Sequence, residues 1–162
     1  MTATYEPIAT TTLASGTASV TFSAIPSTYT DLVLVYNGTI ATANNIVLQF
    51  NSDTAANYSA TYIYGDGTSA VSGRTTNRNY IDGGGVSSTN NSTSIFNIFN
   101  YSNATTYKTV FCRSSTPGDA TYAWTSIWRK TPEAINTILV RSVNSYNFNT
   151  GSTFTLYGIK AE

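Results

Sequence analysis

Residues 46–67, IVLQFNSDTAANYSATYIYGDG, limit the fold more than any other stretch. Ile46, Leu48 and Phe50 alternate with Val47, Gln49 and Asn51, the period-2 pattern of a half-buried strand. Further on, Tyr58, Ala60, Tyr62 and Tyr64 share one face, and Ser59, Thr61 and Ile63 share the other. Between the two runs lies Asn51-Ser-Asp-Thr-Ala-Ala-Asn57, rich in short polar side chains that bond to nearby backbone and make turns. Asp53 is placed to cap one short helical turn there, and Gly65-Asp-Gly67 closes the unit. The same arrangement of short strand, polar corner and short strand recurs along the chain.

The recurrence predicts an all-β fold: an antiparallel β-sandwich, jelly-roll-like, of about nine or ten strands. Clean alternation returns at 17–22, with Ala18, Val20 and Phe22 on one face. Residues 31–36, DLVLVY, are apolar on both faces and read as a central covered strand. Later strands are expected at 94–101, 105–114, 121–130, 135–143 and 152–160. The 162 residues suffice for one domain with a sizeable core. Pro7 removes a backbone donor, so the start reads as an edge strand or a contact arm over residues 1–12, presenting Tyr5, Pro7 and Ile8. Residues 65–93, with the triple glycine 83–85, read as a long loop inserted in that domain, carrying one short strand at 78–81.

Composition narrows the partners. Charged residues are 10% of the chain and the formal net charge is zero. Such a chain does not draw phosphate backbones or anionic lipid over distance, so neither nucleic acid nor a membrane surface is expected as partner. Ser, Thr and Asn make up 64 residues, so hydroxyls and amides solvate the surface. The 41% hydrophobic and 13% aromatic content separates this composition from that of a disordered chain. One cysteine, Cys112, leaves no intrachain disulfide and reads as a small core residue. The N-terminus has neither the basic start nor the apolar run of a secretory signal.

Chemistry is scarce. With no histidine, the commonest general base is missing, and so is any Ser-His-Asp or Cys-His pair. Zinc clusters need His and Cys in numbers this chain lacks. No glycine-rich phosphate loop with its lysine occurs. Asp31, Asp53, Asp66, Asp82 and Asp119 fall in turns or at strand ends, where Asp bonds backbone. A calcium site from Asp53, Asp66 and Asp82 would use suitable oxygens but lacks an ordered ligand loop. A glycan-cleaving carboxylate pair would have to be brought together by the fold, and no pair stands out. The expectation is therefore a protein that is not an enzyme and needs no cofactor or metal. Tyr122, Trp124, Ser126 and Trp128 share a strand face, with Arg129 on the opposite one. Three readings fit that aromatic face: core, subunit interface, or a platform on which sugar rings stack.

Several segments carry a resemblance. Pro26-Ser-Thr-Tyr-Thr-Asp-Leu-Val-Leu-Val35, Phe50-Asn-Ser-Asp-Thr-Ala-Ala-Asn-Tyr-Ser59 and Tyr64-Gly-Asp-Gly67 are three of them. Ala134-Ile-Asn-Thr-Ile138 and Gly151-Ser-Thr-Phe-Thr-Leu-Tyr-Gly-Ile159 are the others. Together they resemble a family of small all-β virion proteins of tailed bacteriophages. The resemblance spans most of the chain, rests on strand-and-turn patterns, and implies a structural virion component with a sandwich fold. The expectation built on it is a capsid decoration (cement) protein, probed first as a homotrimer seated on the major capsid protein at the phage head surface. The alternative is a receptor-binding or carbohydrate-binding module of the tail or fibre.

Overall fold

The computed structural model describes residues 4–118 and 120–160. Among them are twelve strands and no helix. In chain order these are β1 (Tyr5–Thr12), β2 (Ser19–Phe22), β3 (Asp31–Gly38), β4 (Asn44–Phe50), β5 (Tyr58–Gly65) and β6 (Ala70–Arg78). They continue with β7 (Ile81–Val86), β8 (Ser92–Phe99), β9 (Lys108–Ser115), β10 (Thr121–Trp128), β11 (Ile138–Ser142) and β12 (Thr153–Ile159). Eight strands form one sheet in the order β1-β12-β3-β8-β9-β10-β5-β6, and four form a second in the order β2-β11-β4-β7. Neighbours pair antiparallel throughout. The chain is thus an all-β antiparallel sandwich. The eight-to-four division of strands does not by itself single out a jelly roll.

The period-2 pattern sets which face turns inward. Leu34, Phe96, Trp124, Phe154 and Leu156 of the large sheet meet Ile46, Leu48, Phe50, Ile138 and Val140 of the small one, all buried in one core cluster. Burying side chains of this size stabilises by about 1.5–3 kcal/mol each. The doubly apolar run at 31–36 becomes β3, third from one edge of the large sheet; Leu32, Leu34 and Tyr36 are wholly buried on the inside, and the outward Val33 is buried too.

The stretch 65–93 departs most from expectation. It is not an inserted loop but a hairpin turn at 66–69 followed by β6 and β7. The strand expected at 78–81 is instead the junction between them. Residues Ile81–Val86 are all buried, glycines included. A Cβ on Gly83 would stand 2.6 Å from the Ile46 carbonyl oxygen and 2.4 Å from Phe96 Cζ. One on Gly84 would stand 1.6 Å from Ser114 Oγ. The glycines let β7 lie against both its partner strand and the large sheet, a close backbone approach that no other residue permits.

Of the two readings of the N-terminus, edge strand or contact arm, the structure shows the edge strand. Tyr5–Thr12 is the edge strand β1, paired with β12 along its length, with a shift of register between Pro7 and Ala9. Residues 1–3 of the expected arm lie outside the described residues. Glu6 fastens the strand further: it accepts hydrogen bonds from Lys160 Nζ at 2.8 Å and Tyr29 Oη at 3.2 Å.

Candidate functional site

The aromatic face of β10 is core. Trp128 is 2% exposed and Trp124 6%. Trp128 stacks on Tyr58 at 6.2 Å and meets Phe50 edge-on at 5.5 Å. Its indole N–H donates to Asp53 Oδ2 at 2.6 Å. Asp53 also accepts from the Ala55 N–H at 3.0 Å and from Asn57 Nδ2 at 2.9 Å. It caps no helix; it closes the 51–57 corner and fastens that corner to β10. Burial opposes its charge, but the bonds from Trp128, Asn57 and Ala55 prevail and hold its carboxyl below the usual range.

Trp124 lies against Tyr62, with ring centroids 4.4 Å apart. Tyr122, half-buried, lies against Tyr64 at 5.4 Å. Neither tryptophan offers a platform to solvent. Arg129 is exposed and donates from Nη2 to Asn77 Oδ1 at 3.2 Å, a neutral partner on β6. Of the N-terminal trio, Ile8 packs on the core, while Pro7 and Tyr5 are exposed. Tyr5 meets Tyr157 edge-on at 6.3 Å. Cys112 is buried in the core, and burial pushes its thiol pKa well up, so little thiolate forms.

The carboxylates remain dispersed. Among the described residues no group of three or more Asp, Glu, Cys or His gathers as a metal centre would require. Asp66 accepts four bonds to Oδ1 from the backbone and hydroxyls of Thr68 and Ser69, which lower its pKa. Asp82 is buried on the small sheet, and burial raises its pKa despite a 2.9 Å bond from Thr75. Burial and the Asp53 charge across the 51–57 corner raise Glu133 somewhat, yet hydrogen bonds hold both carboxyls below their usual pKa.

What the structure does expose is the outer face of the large sheet. Pairing register lays its side chains out in rungs that cross the strands. One rung reads Ser72, Ile63, Ala123, Arg113, Ile95 and Val35 from β6 to β3. The next reads Arg74, Thr61, Thr125, Phe111, Asn97 and Val33. Ile63 is 61% exposed, Phe99 42% and Phe111 36%. Hydroxyls and amides fill the places between these apolar side chains. Three depressions open on this face. The largest, about 470 Å³, is floored by Gly65, Ala70 and Ala123 beside Ile63 and Thr121. A second, about 410 Å³, runs past Thr61, Arg74, Thr109, Thr125 and Ile127. A third, about 230 Å³, lies at Thr93, Ile95 and Arg113. Arg74 and Arg113 have neither a hydrogen bond nor an ion pair among the described residues.

Sequence reasoning read the tryptophan face as core, interface or platform, and missed this outer face. The signal was present in Ile63, Phe99 and Phe111. Ile63 and Phe111 are large apolar residues on the otherwise polar register of their strands, and Phe99 shares its outward register with Ile95, each opposite a face already committed to the core.

No family model and no curated protein matches the sequence. Among solved structures, the chain is similar to one described as alginate lyase Aly36B, with a TM-score of 0.36 and 10% identity over 93% of this chain and 77% of that one. It is also similar to the CBM2 module of the evolved Dit of Lactobacillus casei BL23 phage J-1, with a TM-score of 0.17 and 11% identity over 89% and 69%. Both likenesses are too distant to carry an argument about ligand or activity.

Proposed function

We propose that this chain is a structural virion protein of a tailed bacteriophage that acts by contact, without catalysis, through the outer face of its eight-stranded sheet. The supporting observation is the size and character of that face. Eight strands about 4.8 Å apart and some seven residues long span roughly 34 by 24 Å, about 800 Å². That is about one partner's share of a standard protein interface. The face carries exposed Ile63, Phe99, Phe111 and Tyr5, with hydroxyls between them rather than a continuous greasy surface.

In its finer form the proposal is a capsid decoration protein, a homotrimer on the major capsid protein at the head surface. Binding the assembled lattice and not its separated subunits would stabilise the head by mass action. Three linked copies would raise the effective concentration of each contact. The test is to mix the purified chain with expanded heads lacking it and measure occupancy and head melting. Saturable binding with a raised melting temperature is the expected result. No binding, or binding without stabilisation, overturns the decoration role.

A second reading is a carbohydrate-binding module of the tail or fibre. The depressions on the outer face, with Phe111 and Thr61 within the same rung, favour it.

A further inference from the structure

Resting on that second reading of the outer face, we infer that its β6–β9 half binds a linear polysaccharide bearing carboxylate groups. The argument starts from charge. Among the described residues, Arg74 and Arg113 stand on this face with no ion pair to a carboxylate. The acids among the described residues are engaged elsewhere: Asp53 and Glu133 at a corner, Asp66 in a turn, Asp82 on the small sheet, Asp31 with the Asn100 N–H and Glu6 with Lys160. Guanidinium groups are the side chains best shaped to grip a carboxylate through paired N–H bonds.

A second copy of this chain is the poorer occupant. Apposing the β6–β9 halves of two such faces would bring arginines together with no acid on that half among the described residues to separate them, a like-charge juxtaposition that interfaces avoid. An acidic extended ligand has complementary charge.

The rest of the strip fits sugar better than peptide. Arg113 is the cross-strand neighbour of Ala123, which floors the largest depression, and Arg74 lines the second. Three strand spacings separate β6 from β9, so the two arginines stand roughly 15 Å apart along the sheet. Between them lie Thr61 and Thr125, hydroxyls that match the donors and acceptors of sugar rings, with Phe111 beside them as an apolar surface for a ring face. A sheet interior holds these groups on rigid backbone, which suits a repeating ligand. The arginines would then mark the positions of two acidic sugars on one bound chain.

The experiment titrates the whole chain with polygalacturonate, with the same polymer methyl-esterified, and with polyglutamate. It repeats the titrations for Arg113→Gln and Arg74→Gln, both exposed positions whose melting temperatures are checked first. Saturable binding of polygalacturonate is expected, weakened about tenfold by esterification and about fivefold to tenfold by either substitution. Added salt should weaken it further. Equal binding of the ester, with full affinity in both variants, overturns the acidic ligand and leaves the carbohydrate reading standing. Equal binding of polyglutamate overturns the carbohydrate assignment. Failure of every polymer to bind removes both.

Discussion

The two faces of the large sheet are made by the same strands and obey opposite rules. On the inward face, packing is close enough that backbone and side chain share one surface: Gly84 rests on Ser114, and Trp128 reaches through the core to Asp53. On the outward face, Ile63 of β5 and Phe111 of β9, on either side of β10, touch solvent. Alternation fixes the register of both faces at once, but only the inward one contributes much to stability. The outward one is free to be shaped by what it contacts. Substitutions should separate the two faces accordingly.

The largest effect belongs to Gly83→Ala. Its Cβ would collide with the Ile46 carbonyl, which is backbone and cannot rotate away. A loss of about 3 kcal/mol is expected, read as a fall in melting temperature of roughly 6–12 °C. An unchanged melting temperature would mean that β7 does not lie as close as described. Next comes Trp128→Phe. It removes the donor to Asp53 and leaves a buried carboxylate short of a partner. Urea unfolding should show a loss of about 2–3 kcal/mol, larger than for Trp124→Phe, whose indole N–H has no hydrogen-bond partner.

A smaller effect carries a sign that changes with pH. Burial raises the folded pKa of Asp82, so the folded state binds its proton more tightly than the unfolded one does. That contribution to stability is greatest in acid and is lost as pH rises from the unfolded value of about 3.9 through the raised folded value. Asp82→Asn keeps an oxygen for the Thr75 hydroxyl without the buried charge. It should raise the melting temperature at pH 7 and change it little at pH 3. A rise of equal size at both pH values would remove burial of charge as the cause.

The smallest effect on stability is the one that sharpens the contrast most. Phe111→Ser and Ile63→Ser lie on the exposed face and should alter unfolding free energy by no more than about 0.5 kcal/mol each. They should nevertheless weaken the contact that the face makes. A loss of several kcal/mol in the free chain would show that the outward face is core after all.

How much of this was legible in the sequence follows the same division. Strands with strong alternation, such as β5 and β10, could be read directly, because their inward residues are large and apolar. β6 and β7 could not. β6 is an edge strand exposed on nearly its whole length, so no apolar period marks it. β7 is buried throughout, but its strand state depends on glycine fitting beneath Phe96 and Ser114, which lie on other strands. A run of glycines looks like a loop until the neighbours that exclude a Cβ are known. For Trp124 and Trp128 the core reading is the one the structure shows, but it stood beside two others for the complementary reason. Their spacing places them on one face, but alternation cannot say whether the second sheet covers that face. Asp53 was placed in its corner correctly, while its partner 75 residues away was invisible to local reasoning.

Hydroxyl-radical footprinting tests the central claim most directly, comparing the free chain with the chain in its particle and with the chain in saturating polygalacturonate. Phe111 and Ile63 should lose reactivity in at least one bound state, while Tyr146, exposed at the far corner between β11 and β12, keeps its own. If Phe111 and Ile63 react as fast in both bound states as in the free chain, the outer face of the large sheet is not where this protein makes contact.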